Sequence, residues 1–181
     1  LLCPELQLTG YPPEDLVLKP EFVRRTHECT DQLVDATSES GPAILIGTIV
    51  NEGGLNYNAM VLANEGKVLG RVLKRELPNY GTFDEKRVFA AGPSPRPLTL
   101  GGVQLGVPIC EDIWKEEVTA ALADTGAEIL CVPNGSPFEA GKEDVRLELA
   151  KSRVRESGLP LIYLNQLGGQ DEVVYDGASF V

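Results

Sequence analysis

The sequence predicts a mixed α/β domain. The chain has 181 residues and is 43% hydrophobic, which is enough apolar surface for one core of ordinary size. Its first half contains alternating apolar segments separated by short Gly-containing turns. Its second half alternates apolar strand-like runs with segments of helical period. Because no repeat, low-complexity stretch or linker interrupts it, we predict one domain over residues 1–181.

The first half should contain one helix and several strands. The opening run LLCPE reads as an apolar strand that ends at Glu5, before a Gly/Pro loop. A 3.6-residue period predicts a helix from about Glu21 to Ser38, with an apolar face that includes Cys29. The members of that face are Phe22, Cys29, Leu33 and Ala36. The segments PAILIGTIV, LNYNAMVLA and EGKVLGRVLK then predict three antiparallel strands joined by tight turns.

The second half predicts a hairpin followed by βαβ units. The hairpin joins LTLGG to VQLGVPIC, and its second strand should run from 105 to 110. Next come a helix over 114–125, a strand EILCVPN, a helix over 141–157 and a strand LPLIYLNQ. The residues near Asn165, and the pair Asp171 and Glu172, should be solvated polar residues of a loop.

Composition excludes several classes of partner. The 16 basic and 27 acidic residues give a formal charge of −11, and no stretch combines Lys and Arg with aromatic residues. A nucleic-acid or anionic-membrane surface is therefore disfavoured. No apolar run has membrane-spanning length, and no charged-then-apolar leader comes first. We expect a soluble, cytoplasmic protein with a small-molecule partner.

The cysteines favour reduced thiols. Cysteines 3, 29, 110 and 131 are widely spaced, and one histidine is too few for a typical zinc site, so we predict no metal. Cys110 differs from the others because it lies between a predicted strand and a predicted helix. The amides and dipole of a helix start favour thiolate and stabilise an oxyanion. The alternative is a buried cysteine that ends a core strand.

Two more ionisable residues follow strands. Glu5 ends the first strand, and Lys74 ends the third strand of the antiparallel group. A carboxylate, an ammonium group and a thiol supply the base, the oxyanion stabiliser and the nucleophile of an acyl transfer that needs no histidine. Alternatively, Glu5 caps a turn and Lys74 is a solvated lysine.

Four motifs in order carry a resemblance to a known family. The strings PELQLTGYPPEDL, LKRELPNYGTFDEKRVF, GVPICEDIW and NGSPFEAGK are similar to motifs of the carbon-nitrogen hydrolase (nitrilase) superfamily, in particular of glutaminase domains of glutamine-dependent NAD synthetases. The resemblance spans the chain and implies a four-layer αββα sandwich, here truncated at both ends. It implies a catalytic triad of Glu5, Lys74 and Cys110.

The resemblance also suggests the remaining site residues. Glu85 would be a second acid that orients the lysine, although it could equally be an ion-pair partner of Lys86 or Arg87. Substrate-binding positions match Tyr11, Tyr80, Glu111, Trp114, Ser136 and Lys142. Lys142 and Glu111 would then hold the carboxylate and ammonium groups of an amino acid. Outside the resemblance, NGSPFEAGK reads as a plain turn before a helix. Asp84 and Arg87 should pair structurally, and Asp112 should cap the helix after Cys110.

The implied reaction is hydrolysis of the L-glutamine side-chain amide through a cysteine thioester. Ammonia would pass to a C-terminal synthetase domain for amidation of deamido-NAD. We expect that domain to lie outside this chain and to bind the ATP and Mg, so that no cofactor is expected here. A homo-oligomer is also implied. Two alternatives stay open: a freestanding amidase or carbamoylase that acts on another small amide, and an inactive structural fragment.

The ordinary pKa of the proposed base is far below that of the proposed nucleophile. A glutamate with a pKa near ~4.3 is a poor base for a thiol with a pKa near ~8.5. We therefore expect burial to raise the pKa of Glu5, or Lys74 and the helix start to lower the pKa of Cys110, or both.

Overall fold

The chain folds into four layers: a helix, a three-stranded sheet, a four-stranded sheet and a pair of helices. These layers are seen in a computed structural model that describes residues 1–38 and 41–181. Their order is the αββα order that the resemblance implies. No helix in the described part of the chain is long and apolar enough to cross a bilayer.

The first sheet is antiparallel, as predicted. It contains β1 (Ile44–Glu52), β2 (Leu55–Asn64) and β3 (Lys67–Leu73), in that order. The connections are two-residue turns whose residues have positive φ, and three of the four are glycines. Helix α1 (Pro20–Ala36) precedes this sheet.

The second sheet has the order β4-β5-β6-β7. Its strands are β4 (Leu98–Leu100), β5 (Val103–Gly106), β6 (Ile129–Asn134) and β7 (Leu161–Asn165). The pairing of β4 with β5 is antiparallel, whereas β5, β6 and β7 are parallel. Helices α3 (Glu116–Asp124) and α4 (Lys142–Ser157) make the crossovers. A short helix, α2 (Glu85–Val88), lies between the sheets in sequence.

Three apolar clusters bind the layers together. Between α1 and the first sheet lie Ile46, Val50, Val61 and Leu33. Between the two sheets lie Leu45, Met60, Leu62, Val72, Val107 and Ile109. Between the second sheet and its helices lie Leu122, Leu130, Val132, Ala150 and Leu161. Neighbouring β1 residues Leu45 and Ile46 belong to different clusters, because successive side chains of a strand point to opposite faces.

The apolar face predicted for the first helix is rotated by about one residue. The buried positions of α1 are Val23, Thr26, Thr30 and Val34, whereas Ala36 is exposed and Cys29 is half-buried. Thr30 is buried without being apolar, because its hydroxyl shares a buried hydrogen bond of 2.8 Å with the hydroxyl of Thr48. The sequence prediction was wrong because the threonines were counted as polar surface.

Two predicted strands are shorter than expected, and each is interrupted near a proline. The segment before Glu5 makes a single parallel bridge, between Leu2 and Leu45. Strand β5 ends at Gly106 rather than at 110. Pro4 and Pro108 have no N–H to donate to a neighbouring strand, so the hydrogen-bond ladder is weakened at each of them.

The predicted solvated loop near the C-terminus is wrong. Asn165 is 4% exposed and ends β7. After it, β8 (Leu167–Gln170) and β9 (Val173–Asp176) form a two-stranded hairpin. Asp171 and Glu172 form its exposed tip, so for these two residues the expectation of a solvated position holds.

Gly47 of β1 allows the segment that carries Glu5 to lie against the first sheet. A Cβ atom at Gly47 would come within 2.3 Å of the Pro4 carbonyl oxygen and of the Leu6 nitrogen. These are backbone atoms on both sides of Glu5, so they cannot turn away as a flexible side chain can.

We therefore predict that Gly47→Ala destabilises the fold by at least about 2 kcal/mol, because the added methyl group overpacks a fixed backbone. Gly169→Ala is the matched control, since the nearest atom to its Cβ is 3.6 Å away and its φ is not positive. Thermal unfolding measures both variants. Equal losses of stability would contradict this account of Gly47.

Candidate active site

Glu5, Lys74 and Glu85 converge in the interior although they are far apart in the sequence. The Lys74 ammonium nitrogen lies 2.6 Å from Glu5 Oε1 and 2.8 Å from Glu85 Oε1. The side chains of Glu5 and Lys74 are 0% exposed, and that of Glu85 is 5% exposed. A buried cation held between two buried carboxylates is rare without a functional reason, because both signs of charge lose their hydration.

Lys74 is positioned by backbone hydrogen bonds at the end of β3. Its N–H donates to the Asn58 carbonyl at 2.8 Å, and its carbonyl accepts from the Gly92 N–H at 2.8 Å. These bonds hold the backbone on both sides of the side chain. The ammonium group can therefore enter the interior with little loss of further backbone freedom.

Glu5 accepts hydrogen bonds from three directions. Besides Lys74, the amide of Asn58 donates to Oε1 at 2.7 Å, and the Gly135 N–H donates to Oε2 at 3.0 Å. Neither Asn58 nor the role of Gly135 was predicted from the sequence. The available signal for Asn58 is a polar residue directly before the apolar run AMVLA of β2. In the structure Asn58 is 0% exposed.

Cys110 lies where the sequence predicts it, at the junction between β5 and the helices. It begins a 3₁₀ helix, Cys110–Trp114, and has a φ of 48°. A non-glycine residue in this left-handed region is uncommon and occurs at strained functional turns. The thiol is buried, and it is close enough to Glu5, Lys74 and Glu85 to feel their charges.

Of the pKa shifts expected from the sequence, a lowered pKa at Cys110 is wrong in direction. Burial raises the pKa of Cys110 well above its usual range, and the negative charge of Glu5 raises it further. Lys74 opposes both effects but does not overcome them. The helix start is a single 3₁₀ helix of five residues, whose dipole is too small to offset full burial. Cys110 is therefore a neutral thiol that needs a base.

Lys74 remains charged. Burial lowers the pKa of Lys74, but Glu5 and Glu85 raise it by more, so the net pKa lies well above the usual value. Glu85 behaves differently: burial, together with repulsion from Glu5, raises its pKa to about 7 despite the neighbouring Lys74. The cluster thus contains one stable cation and a Glu85 carboxyl that holds its proton more tightly than an ordinary glutamate does.

Glu85 contacts the lysine rather than its neighbours in sequence. The hydroxyl of Tyr11 donates to Glu85 Oε1 at 2.7 Å, in addition to the bond from Lys74. Arg87 pairs with Asp84, as predicted, and also with Asp15. Tyr11 and Glu85 also line a cavity of about 180 Å³ beside the cluster.

Asp112 has a wider structural role than the predicted cap. Its carboxylate accepts from the Ile109 N–H at 3.0 Å, across the start of the 3₁₀ helix, and also from the Arg75 and Glu76 N–H groups at 3.2 and 2.7 Å. It therefore ties the turn of Cys110 to the segment that follows Lys74. Burial raises its pKa to about 6.

The predicted substrate-binding residues do not form one uniform lining. Tyr80 donates a hydrogen bond of 2.8 Å to Glu111, and both side chains are accessible. Trp114 is 39% exposed, and the Lys142 ammonium lies 3.4 Å from Glu139. In contrast, Tyr11 and Ser136 are buried, and the Ser136 hydroxyl accepts from Arg146 Nε at 3.1 Å. Residues 1–38 and 41–181 contain no group of three or more His, Cys, Asp and Glu placed to hold a metal.

Comparison with known proteins identifies relatives along the whole chain. A family model described as carbon-nitrogen hydrolase matches residues 1–181. The chain is 51% identical over 179 residues to the glutamine-dependent NAD(+) synthetase of Rhodobacter capsulatus, covering 98% of this chain and 32% of that protein. The chain therefore spans about a third of the length of this relative.

Two solved structures extend the comparison. A glutamine-dependent NAD+ synthetase from Acinetobacter baumannii, in complex with ADP, superposes with a TM-score of 0.92 at 37% identity, over 99% of this chain and 34% of that one. A mutant amidase from Nesterenkonia sp. AN1 superposes with a TM-score of 0.87 at 29% identity, over 99% of this chain and 67% of that one. In that amidase, the acetamide moiety of fluoroacetamide is covalently added at the active-site cysteine.

We predict that Glu5→Gln lowers the pH midpoint at which Cys110 reacts with iodoacetamide, because the Glu5 charge raises the pKa of the thiol. Peptide mass spectrometry across a pH series measures the midpoint for each cysteine. Cys131 is an internal control, since burial alone raises its pKa. An unchanged Cys110 midpoint, or an equal shift at Cys131, would show that Glu5 does not act on Cys110.

Proposed function

Because the chain belongs to the carbon-nitrogen hydrolase family, we propose that it is the glutaminase part of a glutamine-dependent NAD synthetase. The observation that carries the chemistry is the buried Glu5 and Lys74 beside the neutral thiol of Cys110. The observation that favours glutamine is the 51% identity with the Rhodobacter capsulatus synthetase over nearly the whole chain.

Glu5 is the proposed general base. A neutral buried thiol must lose its proton as it attacks, and the fixed Glu5 carboxylate is the acceptor. The sulfur then bonds to the side-chain amide carbon of glutamine and forms a tetrahedral intermediate. The amidase of similar fold has a covalent adduct at its active-site cysteine, which supports a nucleophilic role for Cys110.

Lys74 is the proposed oxyanion stabiliser, together with the Glu111 amide N–H. Its charge persists because two carboxylates hold it. Donors that are already in place need no reorganisation when negative charge develops on the amide oxygen. Collapse of the intermediate breaks the C–N bond, and Glu5 returns its proton to the departing ammonia. Water, activated by Glu5, then hydrolyses the thioester to glutamate.

Glu111 and Lys142 are the proposed contacts of the amino-acid end of glutamine. Glu111 lies next to the proposed nucleophile, and its hydrogen bond from Tyr80 restrains the carboxylate. Lys142 begins α4, directly after the loop that contains Ser136. A carboxylate and an ammonium ion offer the opposite charges that a free amino acid requires.

The synthetase partner follows from the same proposal. The ammonia released here would serve an ATP- and Mg-dependent synthetase domain that amidates deamido-NAD, and the acyl transfer itself calls for no cofactor. A homo-oligomeric state and a cytoplasmic location stay predictions.

A freestanding amidase is the second candidate. The chain superposes on the Nesterenkonia amidase over 99% of its length. The same Glu5, Lys74 and Cys110 arrangement would serve that activity, so the two candidates differ only in the substrate.

We predict that the protein releases ammonia from L-glutamine and that Cys110→Ala lowers kcat at least about a thousand-fold, because the nucleophile is lost. Cys131→Ala is the control for loss of a buried thiol elsewhere. Equal ammonia release by the wild-type protein and Cys110→Ala would remove the proposed mechanism. Hydrolysis of short amides without hydrolysis of glutamine would select the amidase.

We also predict that Lys142→Met raises KM for glutamine about 10- to 100-fold, the effect of losing one hydrogen bond to a charged group. Butyramide has no amino-acid end, so its kcat/KM should be the same for the wild-type protein and for Lys142→Met. Lys115→Met is the control for loss of an exposed lysine on another element. If Lys142→Met lowered kcat/KM equally for glutamine and for butyramide, Lys142 would not be a contact of the amino-acid end.

A further inference from the structure

Arg146 of α4 is a fully buried arginine outside the proposed acyl-transfer machinery. It is 1% exposed and is the largest of the fully buried side chains. Its Nη2 donates to the Ser136 carbonyl at 2.9 Å and to the Pro137 carbonyl at 2.7 Å, and its Nε donates to the Ser136 hydroxyl. One side chain thus holds two successive residues of the loop after β6.

Asp176, at the end of β9, provides the countercharge. Arg146 Nη1 lies 2.8 and 3.0 Å from the two Asp176 carboxylate oxygens. Asn165 completes the network, because it accepts from the Ser136 N–H at 2.9 Å and donates to the Ser136 carbonyl at 3.0 Å and to Asp176 at 3.2 Å. Three elements from separate parts of the chain, α4, β7 and β9, are therefore joined in one network around the Ser136 loop.

The loop held by this network is the one that reaches Glu5. Gly135 directly precedes Ser136, and its N–H donates to Glu5 Oε2 at 3.0 Å. A Cβ atom at Gly135 would lie 2.9 Å from the Tyr11 ring, so the loop backbone also packs tightly on the tyrosine that donates to Glu85. A small displacement of Ser136 would therefore move the Gly135 N–H away from Glu5.

We propose that Arg146 and Asp176 are positioning residues of the acyl transfer, and that their ion pair holds the Gly135–Pro137 turn so that the Gly135 N–H orients Glu5 toward Cys110. This inference rests on the proposed role of Glu5 as the base. A catalytic carboxylate must be held to within a fraction of an ångström, and a rigid turn anchored by a guanidinium fork achieves this.

The burial of Arg146 supports a role beyond stability: its side chain is 1% exposed, whereas that of Asp176 is 21% exposed. Removing the arginine charge from water costs about as much as its attraction to Asp176 returns, so the ion pair by itself adds little stability. An arginine is suited to this position because its planar fork can bind two carbonyls, a hydroxyl and a carboxylate at once.

The test compares Asp176→Asn, which preserves shape, and Arg146→Gln with the control Arg153→Gln. Arg153 is also a buried arginine of α4, but its ion pair is with Glu156 of the same helix. Three quantities are measured for each protein: kcat and KM for glutamine, the unfolding temperature, and the pH midpoint of Cys110 alkylation. The charged groups that act on Cys110 are Glu5, Lys74 and Glu85, so a displaced Glu5 changes this midpoint.

We expect both network variants to lower kcat at least about 10-fold and to lower the alkylation midpoint by about 0.5 pH unit or more, because Glu5 is released from its position. The double variant should match the worse single variant, since both act through one network. Arg153→Gln should lower the unfolding temperature while leaving kcat and the midpoint unchanged.

The inference is overturned if Asp176→Asn retains kcat within about two-fold with an unchanged midpoint, or if Arg153→Gln shows the same losses. Failure of the proposed function can be distinguished from failure of this inference, because in the first case the wild-type protein would not hydrolyse glutamine. The alkylation midpoints would still report whether the network controls the surroundings of Cys110.

Discussion

The contact between the Lys74 ammonium and the Glu5 carboxylate is the interaction on which the rest of the structure depends. Both groups are fully buried, so neither could remain charged alone in this interior. Their pairing joins the residue that follows β3 to the opening segment that lies against Gly47. It also contributes to the state of Cys110: burial raises the pKa of the thiol, and the paired Lys74 does not lower that pKa enough to produce a thiolate. A base-assisted attack follows from this electrostatic balance.

The layered fold explains how residues so distant in sequence reach one another. Glu5 and Lys74 belong to segments of the first sheet, whereas Cys110 and Gly135 follow strands of the second sheet. Because the two sheets pack face to face through a common apolar cluster, their strand ends open into the same buried space. The helices pack on the outer faces of the two sheets, and their side chains hold loops of the site in place rather than react. Arg146 of α4 illustrates this, since it contacts the loop that contacts Glu5.

The sequence contained enough information for the strands of each half and, together with the resemblance, for the residues of the buried cluster. Alternation identified β1 to β3, and the strand-to-helix change identified the surroundings of Cys110. The four-layer order required the resemblance, because periodicity does not reveal which faces pack together. Asn58, Arg146 and Asp176 were missed because their charged partners are 30 or more positions away. The direction of the Cys110 pKa shift could not be predicted from the sequence either, because it depends on full burial and not on neighbours in sequence.

The most direct test is to look for the covalent intermediate. The protein is mixed with glutamine, quenched in acid within its first turnovers, digested, and examined by peptide mass spectrometry. A glutamyl group on the peptide that contains Cys110, absent when Glu5 is replaced by glutamine, is the predicted result. Ammonia release without any adduct on that peptide, or with the adduct on another cysteine, would contradict the account.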